Sequence, residues 1–297
     1  MWRGQDDMIR IPETPWLVPT DGSFSRDAFL THPPADAPDE KACRKHLRKE
    51  VKQIDELQRR LYADDRQSLL LIFQAMDAAG KDSTIRAVLR GVNPAGCQVF
   101  SFKQPSKEEL DHDYLWRSVK CLPERGRIGV FNRSYYEEVL VVRVHPEYLG
   151  GQRLDLPDDM DRFWQARYRA ICDHERHLSE NGSVILKFWL NVSKEEQKQR
   201  FLSRLNEPEK HWKFSSGDLE ERKLWGAYME AYQQALSATS TPWAPWFAIP
   251  ADSKPYMRWQ VARTIRKTLE AIDPSYPRVT PGDLAHFQAM RDELNSD

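Results

Sequence analysis

A glycine–lysine pair that closely follows a short apolar run is the feature of this sequence that most clearly carries chemistry. The run Leu69–Phe73 is followed by a short turn, and Gly80-Lys81 then opens a helix-forming segment. In a strand–turn–helix of this kind, backbone N–H groups and the helix dipole face an anion, and the lysine ammonium reaches its outer oxygens. Residues 74–84 therefore predict a phosphate-binding loop. Its candidate contacts to phosphate are Ala78, Ala79, Gly80, Lys81, Asp82 and Ser83.

This loop departs from the general pattern G-x-x-x-x-G-K-[ST] at two positions. Ala75 stands where the first glycine belongs, and Asp82 replaces the hydroxyl residue that usually touches Mg²⁺. The loop also contains Asp77, whose carboxylate would repel phosphate unless a cation stood between them. Asp77 is therefore a candidate metal ligand. The alternative interpretation is a helix entry turn with a surface lysine.

A second polar group follows the apolar segment Ile128–Phe131. Asn132, Arg133 and Glu137 come directly after it. Because ligands bind outside the carboxyl ends of parallel strands, these side chains are expected to face the phosphates. Ser134 and Glu137 also fit a helix capping box. The two interpretations are compatible, since Ser134 can cap a helix while Asn132 and Arg133 face a substrate.

A pair of arginines and a basic loop predict a lid. Arg200 and Arg204 lie four residues apart and share a helix face. The loop that follows contains Lys213, and Ser215–Asp218 then opens another helix that carries Arg222. Such a segment can close over phosphates, exclude water and bring guanidinium groups to the transferring phosphoryl group. The alternative is a surface helical hairpin with solvated charges.

Five short apolar segments alternate with helical ones along most of the chain. We expect an N-terminal arm at 1–38, one α/β domain at 39–272 with a lid at about 193–237, and a C-terminal tail at 273–297. The alternation predicts right-handed βαβ units and a parallel sheet covered by helices. The strand-like segments are Leu69–Phe73, Gln98–Phe102, Ile128–Phe131, Val184–Leu190 and Trp246–Ile249. The helical stretches begin at Asp39 and continue at 83–90, 106–119, 158–180, 193–205, 217–237 and 254–271.

Composition excludes several classes of protein. The 297 residues carry 44 Lys and Arg against 45 Asp and Glu, and a net charge of −1 argues against a dedicated nucleic-acid-binding protein. Charged residues interrupt every apolar run before the ~18 residues of a membrane span, and the N-terminus lacks the apolar core of a signal peptide. The four cysteines have no metal-ligand spacing. We expect a reduced, cytoplasmic protein without membrane or nucleic-acid partners.

Both loops and several further segments resemble the polyphosphate kinase 2 family. The resemblance spans roughly residues 40–272, and the Asp-x-x-Gly-Lys-Asp form of the first loop makes it more specific than a general P-loop match. The matching segments are QAMDAAGKDSTIR (74–86), GVNPAGCQVFSFKQPS (91–106), DYLWR (113–117), FNRSYYEEVLVVRVH (131–145), ILKFWLNVSKEEQ (185–197), RFLSRLNEPEKHWKFSSGDLEERKLW (200–225) and APWFAIPADSK (244–254).

The resemblance implies a thymidylate-kinase-like P-loop fold, with three α/β/α layers, a five-stranded parallel sheet and a helical lid. It implies a Mg²⁺-dependent enzyme, with Mn²⁺ as an alternative, that reversibly moves the terminal phosphate of inorganic polyphosphate onto a nucleotide. Asn132 stands where many family members carry Asp, and in this the sequence resembles the subclass that uses both AMP and ADP. The resemblance also leaves guanine nucleotides open as acceptors in place of adenine nucleotides. Family members also imply a homodimer or homotetramer.

By position in these motifs, the resemblance gives roles to individual residues. Asp77 would hold the metal, Lys81 would grip the phosphates, and Asp82 would take the site of the usual hydroxyl. Asn132, Arg133 and Glu137 would form the second loop. The catalytic set implied in this way is Asp77, Lys81, Arg133 and Glu137, and the lid residues implied to bind phosphate are Arg200, Arg204, Lys213 and Arg222.

A strongly basic segment predicts a path for a long anionic donor. Residues 41–60 carry eight Lys and Arg against three acids, a local charge of +5. Polyphosphate has about one negative charge per phosphate, so its path must be lined by cations. The residues predicted to line it are Arg44, Lys45, Arg48 and Lys49. Solvation of an exposed helix face is the plainer explanation of such a run.

Two other functions remain open from the sequence. An ATP-dependent nucleoside monophosphate kinase would need an acceptor pocket but no basic path, and Asp82 in place of Ser or Thr counts against it. A non-catalytic module that binds polyphosphate or RNA would use the basic helix alone. RNA binding would favour aromatic residues interleaved with the basic run, and residues 41–60 contain none.

Overall fold

A five-stranded parallel sheet organises the chain, which the computed structural model describes over residues 11–296. The strand order is β2-β3-β1-β4-β5, and every neighbouring pair is parallel, so the predicted sheet is confirmed. Central β1 is buried along its whole length, as expected for a strand covered on both faces. The strands are β1 (Ser68–Gln74), β2 (Cys97–Ser101), β3 (Ile128–Asn132), β4 (Ser183–Asn191) and β5 (Trp246–Pro250).

Helices cover both faces of this sheet, which gives the expected three layers. On one face α1 packs against α10, and α10 also contacts α2; on the other face α6 packs against β4 and α9. The helices in chain order are α1 (Glu40–Asp64), α2 (Lys81–Val88), α3 (Lys107–Leu110), α4 (Trp116–Val119), α5 (Val141–Val144), α6 (Met160–Glu180), α7 (Lys194–Asn206), α8 (Ser216–Lys223), α9 (Trp225–Thr239), α10 (Lys254–Ile272) and α11 (Pro281–Leu294).

Three stretches differ from the sequence prediction. The stretch 106–119 forms the two short helices α3 and α4, since the Asp113 carboxylate accepts from the N–H of Leu115 and makes a turn between them. The stretch 217–237 is divided at Leu224 into α8 and α9. The tail contains α11, which begins with a capping box at Thr280 and a proline in its first turn. These last two signals mark a helix start and could have revealed α11 from the sequence.

The described part of the N-terminal arm, residues 11–38, is attached to the domain by backbone hydrogen bonds. Val18 N–H donates to Trp246 O (2.9 Å), and Ala248 N–H donates to Trp16 O (2.8 Å), which places the arm along the free side of β5. The amide of Asn191 donates to Phe29 O at 3.1 Å. None of the helices between residues 11 and 296 combines the length and the hydropathy that a membrane span requires.

A fully buried ion pair joins the sheet to the segment that follows β3. Lys187 Nζ donates to Glu175 Oε2 (2.6 Å), Tyr136 Oη (2.8 Å) and Thr239 O (2.7 Å), so its three donors are all used. Glu175 Oε1 accepts from the hydroxyls of Tyr135 and Tyr136, both at 2.9 Å. Lys187 and Glu175 are both inaccessible to solvent. This network fixes β4, α6 and α9 to the turn that carries Glu137.

Replacing Lys187 is expected to destabilise the fold strongly. Lys187→Met leaves the Glu175 carboxylate buried without its cation, and the free energy of unfolding should fall by about 3–5 kcal/mol. Urea denaturation measures this loss, and Lys198→Met on the exposed side of α7 is the matched control. A loss below about 1 kcal/mol, the range of exposed ion pairs, would contradict the prediction.

Candidate functional site

The first loop lies at the carboxyl end of central β1 and has the backbone shape of a phosphate cradle. Gly80 has φ +105° and is followed at once by α2, a conformation that strains any residue with a Cβ. Ala78 has φ +62°, also in the left-handed region. The N-terminus of α2 therefore opens towards the space above the sheet. This arrangement is the one that the sequence predicts for residues 74–84.

Lys81 is the buried cation of this loop. Its side chain is folded back so that Nζ donates to Ala75 O at 2.5 Å, and the residue is only 9% exposed. Burial lowers the pKa of Lys81, and Arg133 lowers it further, while Asp77, Glu137 and Asp82 act in the opposite direction. The ammonium thus lies in a desolvated position, where an anion would interact with it strongly.

Arg133 connects the first loop to the second. Its guanidinium donates to Asp77 Oδ1 (3.1 Å) and lies 3.4 Å from Glu137 Oε2. Its backbone has φ +63°, and its N–H donates to Phe73 O at 3.1 Å. Glu137, followed by Asp77, raises the pKa of Arg133 in spite of burial. Burial raises the pKa of Glu137, and Arg133 and Lys81 oppose that rise.

Ser134 and Glu137 do not form the predicted capping box. Ser134 Oγ accepts from the N–H of Tyr136 (3.1 Å) and so caps a single 3-10 turn, Tyr135–Val139. The Glu137 carboxylate faces Arg133 instead of returning to the Ser134 backbone. The capping interpretation is therefore right for Ser134 and wrong for Glu137, because the nearby guanidinium is the stronger partner for a carboxylate.

Asn132 and Asp82 hold the two loops together on their other side. Asn132 Nδ2 donates to Asp82 Oδ1 at 2.7 Å and lies 3.3 Å from Ser101 Oγ. Ser83 Oγ donates to Gly80 O at 3.0 Å and so closes the first turn of α2. Asn132 is thus a partner of Asp82 in this structure. An aspartate at position 132 would meet Asp82 with like charge.

The four predicted lid residues have different surroundings. Arg200 is buried in the middle of α7. Arg204 donates to Asp218 Oδ2 and Lys213 O, each at 3.2 Å. Lys213 lies over the ring of Trp212, which is 79% exposed. Arg222 donates to Lys194 O (2.7 Å) and is the one of the four that does not line the cleft described next.

A cleft of about 1080 Å³ lies above the two loops and is strongly basic. Ten basic side chains line it against two acidic ones, Asp77 and Asp82. Arg86 and Arg90 were missed by the sequence analysis, although their spacing of four residues after the phosphate loop could have revealed them. The basic side chains are Lys81, Arg86, Arg90, Lys103, Arg133, Arg200, Arg204, Lys210, Lys213 and Lys254.

The basic face of α1 lies outside this cleft. Arg44, Lys45, Arg48 and Lys49 are exposed, and Arg44 forms an ion pair with Glu40 at 2.7 Å. Arg44 also lies near Arg258 of α10, whose pKa is lowered by burial and then by Arg86, Arg200, Arg44 and Arg90. This cluster of arginines connects the edge of α1 to the cleft.

Within residues 11–296, no group of three or more His, Cys, Asp or Glu side chains is arranged to hold a metal ion. Asp77 and Asp82 are the acidic side chains of the cleft. Asp77 binds Arg133 through Oδ1, and its Oδ2 has no hydrogen bond among the described residues. A cation here would need further ligands from a bound phosphate or from water.

Comparisons with known proteins agree with this geometry. A family model described as polyphosphate kinase 2 matches residues 37–277. An ADP-polyphosphate phosphotransferase from Rhodopseudomonas palustris is 55% identical over 84% of this chain and 86% of its own length. An AMP/ADP-polyphosphate phosphotransferase from Meiothermus ruber is 48% identical over 76% and 81%. The crystal structure of polyphosphate kinase 2 from Arthrobacter aurescens superimposes with a TM-score of 0.83 at 36% identity, covering 98% of both chains.

The cleft is expected to bind inorganic tripolyphosphate with an affinity that falls as salt rises. Each exposed charge pair contributes up to about 1 kcal/mol, so the double variant Arg86→Gln/Arg90→Gln should bind roughly tenfold more weakly and show a shallower salt dependence. Isothermal titration calorimetry at two salt concentrations measures both effects. Lys223→Gln, an exposed lysine outside the cleft, is the control. Equal affinity of the double variant and this control would contradict the prediction.

Proposed function

Because the chain belongs to the polyphosphate kinase 2 family, we propose that it transfers the terminal phosphate of inorganic polyphosphate to AMP and ADP. An oxygen of the acceptor phosphate attacks the terminal phosphorus, the P–O bond to the next phosphate breaks, and the shortened polymer leaves with the bonding electrons. The observation that carries the proposal is the phosphate loop with Lys81 at the base of a cleft lined by ten basic side chains and two acidic ones.

This chemistry asks for alignment and charge neutralisation, which the cleft can supply. In phosphoryl transfer the protein forms few covalent bonds, and the barrier falls when fixed cations face the oxygens that gain charge. Lys81 and Arg133 are held by the two loops and both line the cleft. The Glu137 carboxylate forms an ion pair with the Arg133 guanidinium and so restricts its position. Arg204 and Lys213 would approach from the lid.

The residues present fit a magnesium ion, with manganese as an alternative. Mg²⁺ in phosphotransferases is held by one or two carboxylates together with phosphate oxygens and water, and Asp77 supplies such a carboxylate inside the phosphate loop. When bound, the ion would offset negative charge on the reacting phosphates. Asp82, held by Asn132, is the second acidic group within the cleft.

The extent of positive charge favours a polymeric donor. Beyond the phosphate loop, Arg86, Arg90 and Arg258 continue the basic surface towards Arg44 of α1. Neighbouring cations gain most from a ligand that brings many negative charges. A nucleoside triphosphate brings only three phosphates to this surface, whereas a polymer brings many. The remaining expectations stay predictions: guanine nucleotides as further acceptors, a homodimer or homotetramer, and a cytoplasmic location.

Purified protein with Mg²⁺, AMP and either polyphosphate or ATP tests the proposal directly. Polyphosphate should convert AMP to ADP and then to ATP, as followed by chromatography. Lys81→Ala should lower kcat by about 10²–10³-fold, since it removes one fixed charge at the transition state. Consumption of AMP with ATP alone would favour a monophosphate kinase, and binding without transfer would favour a non-catalytic module. Unchanged turnover of Lys81→Ala would refute the role of the loop.

Asp77→Asn is expected to impair the use of magnesium. The amide removes the negative charge that attracts a hard cation. The Mg²⁺ concentration at half-saturation should therefore rise about tenfold or more, which corresponds to a loss of binding free energy on the order of 1.4 kcal/mol. Circular dichroism checks that the fold survives, because Asp77 is half-buried and not part of the core. The same half-saturation in variant and parent would assign Asp77 a structural role.

Neutralising the outer face of α1 tests the predicted polyphosphate path. Arg48→Gln with Lys49→Gln should raise KM for long-chain polyphosphate and flatten its salt dependence, because fewer phosphates are contacted. KM for AMP should stay the same, since the acceptor lies elsewhere. Lys198→Gln on α7 is the control. A solvated face predicts no change in either KM, and a rise for AMP alone would also refute the path.

A further inference from the structure

Two side chains of α7 hold the carbonyl groups of the phosphate loop. Gln197 Nε2 donates to Asp77 O at 3.0 Å. Arg200 Nη1 donates to Ala78 O at 3.1 Å and to Ala79 O at 2.6 Å. Gln197 and Arg200 are three residues apart and therefore lie on the same face of α7. Three consecutive carbonyls of the loop are thus held by one helix.

The guanidinium of Arg200 has no donor left for a phosphate in this arrangement. A guanidinium carries five N–H donors. Two reach the loop, two more reach Ala251 O (2.6 Å) and Asp252 O (3.2 Å), and Nε reaches Glu196 Oε1 (2.8 Å). Arg200 is 6% exposed. All five donors are used, four of them on backbone carbonyls, although the side chain lies beside the cleft.

The loop needs such support because of its own sequence. Ala75 replaces the first glycine of the general pattern, and Ala78 adopts a left-handed conformation that costs an L-residue about 1–2 kcal/mol. In a trans peptide the C=O and the following N–H point in opposite directions. When α7 binds the carbonyls of Asp77 and Ala79, the N–H groups of Ala78 and Gly80 are turned away from α7.

The same contacts fix the base of the lid to the sheet. Arg200 joins the phosphate loop to the start of α10 through Ala251 and Asp252, and Asp252 Oδ1 accepts from the N–H of Ser193 at 2.8 Å. One turn further along α7, Arg204 instead contacts α8 through Asp218. The first half of α7 is therefore bound to the phosphate loop, whereas the second half contacts α8.

We propose that Gln197 and Arg200 are positioning residues, which hold the phosphate loop in its anion-binding shape through its carbonyl groups and do not contact the substrate. The proposal concerns the loop of the phosphotransferase site and rests on the proposed function for its kinetic part. It separates Arg200 from Arg204, because the sequence pattern alone gives both arginines the same phosphate-binding role.

Kinetics of three variants separate positioning from phosphate binding. Arg200→Lys keeps the positive charge, but its single nitrogen cannot reach both the loop carbonyls and those of Ala251 and Asp252. Gln197→Met removes the amide donor to Asp77 O without any change of charge. For both, and for Arg200→Gln, kcat should fall about ten- to a hundredfold while KM for polyphosphate and AMP changes less than about twofold. The double variant Gln197→Met/Arg200→Lys should lose less than the product of the single losses, because both act on one loop.

Hydrogen exchange tests the loop without any assay of activity. Amides in a peptide covering residues 74–84 should exchange faster in Arg200→Lys and Gln197→Met than in the parent, while Lys198→Gln on the opposite side of α7 should match the parent. Rescue of kcat by Arg200→Lys, a loss confined to KM for polyphosphate, or unchanged exchange in both variants would overturn the proposal. If the parent does not use polyphosphate, the proposed function fails, but the exchange result still decides whether α7 holds the loop.

Discussion

Repulsion among the cations of the cleft is the constraint on which the rest of the site depends. Burial, and after it neighbouring positive groups, lowers the pKa values of Lys81 and Lys254 in the cleft and of Arg258 beside it. Carboxylates compensate part of this charge: Asp77 and Glu137 engage Arg133, and Arg200, Arg204 and Lys210 each have one acidic partner. Lys81 and four of the five donors of Arg200 are held instead by backbone carbonyls, which fix a cation without cancelling its charge. The positive field therefore remains available to a polyanion.

Sheet topology determines which loops share this field. Because β1 lies between β3 and β4, the loop after β1 meets the loop after β3 on one side and α7, which follows β4, on the other. Phe73 pairs with Asn132 and with Phe188, so the three strands end close to the same level. The buried Lys187–Glu175 pair then anchors the turn after Arg133 from below. The loop after β1 is thus supported by Arg200, and the loop after β3 is supported by the Lys187–Glu175 pair.

The segment 193–237, which the sequence predicts to be a lid, is not uniformly exposed. Helix α9 packs in the core through residues such as Tyr232 and Leu236, and the first half of α7 is bound to the phosphate loop. The exposed part runs from Leu202 to about Ala227. This part carries Arg204, Lys210 and Lys213, which line the cleft.

Local sequence determined much of this protein, because the signals involved span only a few residues. A buried apolar run followed by Gly80-Lys81 specifies a strand, a turn and a helix start, and parallel strands oblige the residues after β1 and β3 to meet. What only the tertiary structure decided are partnerships between distant segments. Arg200 and Arg204 lie four residues apart and look equivalent in the sequence. In the structure Arg200 binds carbonyl groups more than 100 residues earlier in the chain, whereas Arg204 contacts α8. A spacing rule describes which face of a helix a side chain occupies, whereas its partner depends on what the fold packs against that face.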